Sequence, residues 1–229
     1  MQFTKEEMQL HFLEYCSESN IEAVKNCIEL GVDINQRDVA ENTALMTCEN
    51  LEIISLLINA KANLNAKNKY GLTALMMHED PAIIKKIIDE VADVNVKDRS
   101  GWTALMHALV TGPWAFLDIP DEEDDRHQIV KLLVKAKADI NCQLNASRKS
   151  ALMLVRHLND AKLLMSSGAD IAAIDADFLL AHQQPHFKFT KYIKIRNYLE
   201  KTYLAHVSNA VINPEINQST QPINKRQRI

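Results

Sequence analysis

The chain has 229 residues, 47% of them hydrophobic and 24% charged, with a net charge of −4. That balance supports a packed core and excludes disorder throughout. No stretch approaches about 18 uninterrupted apolar residues, and "MQFTKEEMQLHF" carries acids where a signal peptide has a basic flank and an apolar run, so neither membrane spanning nor secretion is expected.

In chain order, Thr4 followed by Glu7 forms a capping-box pattern that opens a first helix. The next segment, Leu10 to Asn35, reads as two helices ending in "VDIN". Then "NTALMTCENLEIISLLINAKANLN" at 42–65 aligns without a gap on "LTALMMHEDPAIIKKIIDEVADVN" at 72–95, a period of 30 residues. The same frame returns from Thr103 to Asn141 and from Ser150 to Ala172. Each unit predicts two short helices and a turn. In the third, Asp80 is a natural N-cap, Pro81 suits the first helical position, and Ile83, Ile84, Ile87 and Ile88 repeat at helical spacing. Between units, "NAKNKYG" and "NVKDRSG" place Asn, Asp and Gly where the chain reverses in a hairpin-like turn. No unit can bury its apolar stripe alone, whereas a stack of them can.

The unit beginning at Thr103 is longer than the others. Its segment 113–125 holds Trp114, Phe116 and all six of the carboxylates found between Asp118 and Asp125, bounded by helix-breaking Pro113 and Pro120. A calcium loop needs alternating ligands and a glycine at its sharp turn, which this segment lacks. It reads as a solvated acidic insertion, with Trp114 and Phe116 as possible secondary partner contacts. After the last unit, His186 to His206 carries a net charge of +4 and places Phe189, Tyr192, Ile193, Leu199 and Tyr203 on one helical side, Lys191, Lys194 and Lys201 on the other. This predicts a capping helix over 186–207. Residues 208–229 are polar and free of aromatics, which predicts a disordered tail.

These units resemble the ankyrin repeat family, whose T-P-L-H-x-A signature appears here as "TALMTC", "TALMMH", "TALMHA" and "SALMLV". The resemblance implies an all-α solenoid of about five helix-turn-helix units with hairpin-like turns: a terminal capping repeat over 1–35, repeats over 36–185 and the C-terminal capping helix. Three units are three residues short between their helices, so their first helices should be trimmed by nearly a turn. Met46, Met76, Met106 and Met153 replace the usual His and forfeit its hydrogen bonds. Glu41 and Lys149 stand beside turns where glycine is expected, so those turns should be irregular.

The resemblance also implies a protein-interaction module that binds a partner protein through turn tips and the exposed side of the first helices. The positions carried over are Lys69, Tyr70, Leu72, Arg99, Ser100, Trp102, Val110 and Thr111, with Trp102 the strongest single anchor because Trp beside Arg is interface hot-spot composition. Asn141 sits in a context resembling sites of asparaginyl hydroxylation, an alternative reading. Nucleic-acid or membrane contact through the basic C-terminal helix is another. No nucleotide, nucleophile-elbow or zinc motif is present, so no enzyme activity, metal, cofactor or small-molecule substrate is expected. A Cys–His pair can be drawn, for example Cys48 with His78 at corresponding positions of successive units, where both suit ordinary packing. Cys16, Cys27, Cys48 and Cys142 lack redox or zinc spacing and suit a reducing compartment. A cytoplasmic monomer is expected, and "TALM" units resemble ankyrin effectors of intracellular bacteria, which act in a host cytosol.

Overall fold

The computed structural model describes residues 4–110, 125–144, 149–171 and 190–212. They form an all-α stack: α1 Lys5–Ser17, α2 Ile21–Glu29, α3 Ala44–Thr47, α4 Leu51–Asn59, α5 Ala74–Met77, α6 Pro81–Asp89, α7 Ala104–Val110, α8 Asp125–Lys135, a single 3-10 turn Ala151–Leu154, α9 Leu158–Ser166 and α10 Thr190–Ile212. First helices touch first helices (α1, α3, α5, α7, the 3-10 turn), second helices touch second helices (α2, α4, α6, α8, α9), and α10 lies on α9. The architecture is therefore two rows sharing one core, the arrangement required when every stripe needs a neighbour on each side. Among the described residues the turns contribute no strand, only isolated bridges between Arg37 and Thr43 and between Gln143 and Ser150.

Helix starts follow local chemistry. The Glu7 amide donates to Thr4 Oγ1 (3.3 Å) while the Thr4 amide donates to Glu7 Oε2 (2.8 Å), completing the capping box. Asn50 Oδ1 accepts from the amides of Glu52 and Ile53, and Asp80 Oδ1 from that of Ala82, at the head of a helix that begins with Pro81. The three short units do lose a turn: α3, α5 and the 3-10 segment have four residues each against seven in α7. Methionine in the signature leaves a trace as well. Thr43 Oγ1 and Ser150 Oγ are buried without a hydrogen-bond partner, and Met46 and Met153, three residues on, offer them none of the nitrogens a histidine would.

Asparagines join the units. The Oδ1 atoms of Asn35, Asn65, Asn95 and Asn141 accept the backbone N–H of Asn63, Asp93, Asp139 and Asp170 in the following unit, at 2.8, 2.9, 2.7 and 2.8 Å. At the N-terminal end Gln9 Oε1 does the same for Asp33 (2.7 Å). Each bond satisfies an amide at the loop after a second helix, and together they fix the stacking register.

Every second helix ends on a left-handed residue: Gly31, Lys61, Val91, Lys137 and Gly168, with φ of 69°, 68°, 64°, 63° and 95°. Glycine adopts this freely, whereas a β-branched residue meets its own backbone there. Val91 is 88% exposed, so it recovers nothing by burial. Val91→Gly is expected to stabilise the chain by about 1 kcal/mol, read as a raised urea midpoint with unchanged slope; a lower midpoint would show that the side chain makes a contact worth more than the strain.

The last helix departs from expectation. It is described over Thr190–Ile212, five residues into the segment expected to be disordered; residues 186–189 and the rest of that tail lie outside the described residues. Among its described side chains Ile195 and Leu199 are buried, Tyr198 and Tyr203 half-buried, and Lys194 and Lys201 exposed. Ile195 belongs to the inward stripe that the sequence reading omitted.

Candidate protein-binding surface

The turn at the head of each first helix is built around one side chain. Asp38, Asn68 and Asp98 each donate their amide to the carbonyl four residues on (Asn42, Leu72, Trp102), and each Oδ1 accepts the amides two and four residues on. The chain reverses through a left-handed residue in the fourth position: Glu41, Gly71 and Gly101, with φ of 62°, 83° and 87°. Contrary to expectation, the Glu41 turn is no less regular than the glycine turns, because the Asp38 carboxylate makes the same bonds as Asn68 and Asp98 and holds Glu41 in place. Lys149 is also misplaced by the sequence reading. Its carbonyl accepts from Leu144, so it corresponds to Asn42, Leu72 and Trp102 and not to the glycines.

Successive hairpins are tied edge to edge. Lys69 donates its amide to the Ala40 carbonyl (3.1 Å) and Arg99 to that of Tyr70 (3.2 Å). Arg37 Nη1 reaches the Lys67 carbonyl (2.6 Å), Lys67 Nζ the Lys97 carbonyl (2.8 Å), and Asn68 Nδ2 the Asn42 Oδ1 (2.8 Å). Gly71 is needed for this closeness as well as for its φ, since a Cβ there would lie 2.8 Å from the Arg99 nitrogen. The tips are thus tied into one row by both backbone and side-chain bonds.

This row brings together some of the expected residues and separates others. Tyr70 is 58% exposed, with the Lys69 ammonium 5.1 Å from its ring centroid, and Arg99 and Ser100 are exposed beside them. Leu72 and Trp102 sit lower, half-buried against the core. The Trp102 ring lies 5.4 Å from that of His107, which donates from Nε2 to Asp98 Oδ2 (2.9 Å). Trp102 is therefore a foot of the hairpin as much as a tip, and its truncation costs fold as well as surface. Val110 is half-buried at the opposite end of α7 from the hairpin; Thr111, Trp114, Phe116 and the acidic residues as far as Asp124 lie outside the described residues. Sequence reasoning missed Val39, 99% exposed at the tip of the Asp38 turn. The 30-residue period places it level with Lys69 and Arg99, and that alignment was the available signal.

Other expected groups have structural employment. Asn141 belongs to the ladder, its Nδ2 also donating to the Gly168 carbonyl (3.0 Å). Cys48 and His78 do not pair: the thiol faces the Asn50 carbonyl (3.9 Å), and His78 Nε2 donates to that of Leu45 (2.7 Å), tying two units together. Burial pushes the His78 imidazole below its ordinary range. Burial likewise raises the thiols of Cys16, Cys27 and Cys48, with Cys16, beside Cys48 and Cys27, pushed up to about 12. These thiols are protonated at neutral pH, the opposite of an activated nucleophile.

Residues 76–175 match the model of the ankyrin repeats family, in three copies. The stack is thus an ankyrin repeat fold, and the ladder of asparagines and hairpins carries the same design back through the two units that precede the matched span. A search of curated proteins finds no match to the chain. Among the described residues no helix is long and apolar enough to cross a membrane.

Proposed function

We propose that the chain is a protein-interaction module that engages a partner protein along the hairpin tips and the adjoining side of the first helices. The observation that carries this reading is the exposure of Val39 and Tyr70 on turns held by side-chain and hairpin-to-hairpin hydrogen bonds. Apolar groups held rigidly in water contribute little to folding, and a preorganised aromatic surrounded by polar neighbours is the composition of an interface anchor. Lys69, Arg99 and Ser100 complete the tip surface and Leu72 and Trp102 support it, with Val110 and Thr111 the remaining expected contacts. The four cysteines, all buried and free of disulfides, suit a reducing compartment. Within this reading the module works as a monomer in the cytoplasm, and an effector of an intracellular bacterium would do so in its host's.

The test compares proteins retained from a cell extract by the wild type and by Val39→Ser/Tyr70→Ala. Both sites are exposed, so the melting temperature should hold, while retention should weaken by about 2 kcal/mol if Tyr70 is an anchor. Equal retention by both proteins at matched stability would move the interface elsewhere.

A further inference from the structure

Resting on the tip reading above, the distribution of charge along the same row specifies the chemistry of what it binds. Hairpins 66–73 and 96–103 carry four cations, Lys67, Lys69, Lys97 and Arg99, and one acid, Asp98. Asp98 does not offset them at the surface. Its side chain is 8% exposed, and its oxygens accept from the Ser100 and Trp102 amides and from His107 Nε2. Lys67 and Lys97 stand at the same position of successive units, as does Arg37 one unit earlier, and Lys69 and Arg99 at another, so the cations form two columns across the hairpins. The hairpin-to-hairpin bonds of Lys69 and Arg99 hold these columns together.

Elsewhere several lysines are paired with carboxylates. On the second helices Lys25 meets Glu52, and Lys85 and Lys86 meet Asp89 and Glu90. Among the described residues no carboxylate forms an ion pair with Lys67, Lys69, Lys97 or Arg99. Hairpins 66–73 and 96–103 are therefore net positive in a chain whose net charge is −4, while the preceding hairpin sets exposed Asp38 and Glu41 beside Arg37, with Asp38 close enough to attract Lys69. Like charges gathered on a rigid frame repel one another, and an incoming segment of opposite charge removes that repulsion. Two apolar groups, Val39 and Tyr70, lie in the same row. A single exposed ring is a poor base-stacking platform, whereas apolar points among cations suit a peptide that alternates carboxylates with an apolar side chain.

We infer that the hairpin row is a docking surface for an acidic, extended protein segment, whose carboxylates meet Lys67, Lys69, Lys97 and Arg99 and whose apolar side chain rests on Tyr70.

The test uses the full chain and three labelled probes followed by fluorescence anisotropy: a peptide of Asp and Glu around one Leu, its Asn/Gln counterpart, and a single-stranded oligothymidylate of equal charge. The acidic peptide should bind and the neutral one should not, and raising salt from about 50 to about 300 mM should weaken binding about tenfold. Lys69→Glu with Arg99→Glu should weaken it by at least about tenfold at unchanged melting temperature, Lys69→Gln with Arg99→Gln by less, and Lys85→Glu on α6 not at all. Failure of the acidic peptide to bind, equal binding of the neutral peptide, tighter binding of the oligonucleotide, or indifference to both tip pairs would each overturn the inference. The Val39→Ser/Tyr70→Ala comparison separates the two levels. If that variant loses partners from extract while charge reversal at 69 and 99 retains them, the tip reading stands and the acidic partner falls; if neither variant loses partners, both fall.

Discussion

Asp160→Ala is expected to cost about 3 kcal/mol, more than any surface substitution in the molecule. Asp160 lies on α9 and is 0% exposed, yet its partners come from the neighbouring unit. Arg126 Nη2 donates to Oδ2 (2.9 Å) and His127 Nδ1 to Oδ1 (2.6 Å), both from the first turn of α8. Arg126 also reaches the carbonyls of Ala108 and Leu109 at the end of α7 (3.2 and 3.4 Å). One carboxylate thus organises three helices, and Arg126 closes the base of the long connection between α7 and α8. Removing it leaves a guanidinium that is mostly shielded from water without its carboxylate, and the charge-assisted bonds are the strong ones. Asp160→Asn, which keeps shape and one acceptor, should cost less. Because stability in a repeat stack is local, the lesion should also uncouple the last unit and broaden the urea transition. A loss below about 1 kcal/mol with an unbroadened transition would mean that α8 and α9 are held by apolar packing alone.

Truncation at His182, which removes α10, should be the other large effect. Ile195 and Leu199 are buried, and α10 packs on α9, whose Leu164 and Ala161 have no exposed surface. Burial of each large side chain is worth about 1.5 to 3 kcal/mol, so the loss should reach about 3 to 6 kcal/mol and fall on the fifth unit. The bared face should promote aggregation. Truncation at Val207 should change the midpoint little, because Leu204 to Ser208 are exposed. Unfolding midpoints and sedimentation of the two truncated chains check this. A stable monomer ending at His182 would identify α10 as a separate arm and favour the nucleic-acid or membrane reading of its lysines.

The sequence displayed what repeats and concealed what occurs once. Unit boundaries, caps and shortened first helices were legible because a 30-residue period can be compared with itself and because Asp80-Pro81 and Thr4…Glu7 carry their own local chemistry. Asp160 was invisible. At the third position of a helix it looks like an ordinary acid favoured by the helix dipole, and only the neighbouring unit turns it into a buried acceptor. The Glu41 turn misled for a related reason: the absence of glycine was visible, while the compensating bonds of Asp38 depend on the fold of the whole turn. At the surface, aromatic residues drew attention that a valine did not. Trp102 proved to be half-buried on His107, and Val39, which composition alone would place in a core, stands at a tip. Ile195 was lost because a basic helix with many aromatics has more than one plausible inward stripe.

The interface proposed above lies on the hairpin row and not on the row of second helices. Its most direct measurement is site-specific photo-crosslinking, with a benzoylphenylalanine placed at Tyr70 in one protein and at Lys85 on α6 in another, each irradiated in the same extract. A discrete adduct from position 70, diminished by Lys69→Glu/Arg99→Glu and missing from position 85, is the expected result. An adduct from position 85 with none from position 70 would contradict it.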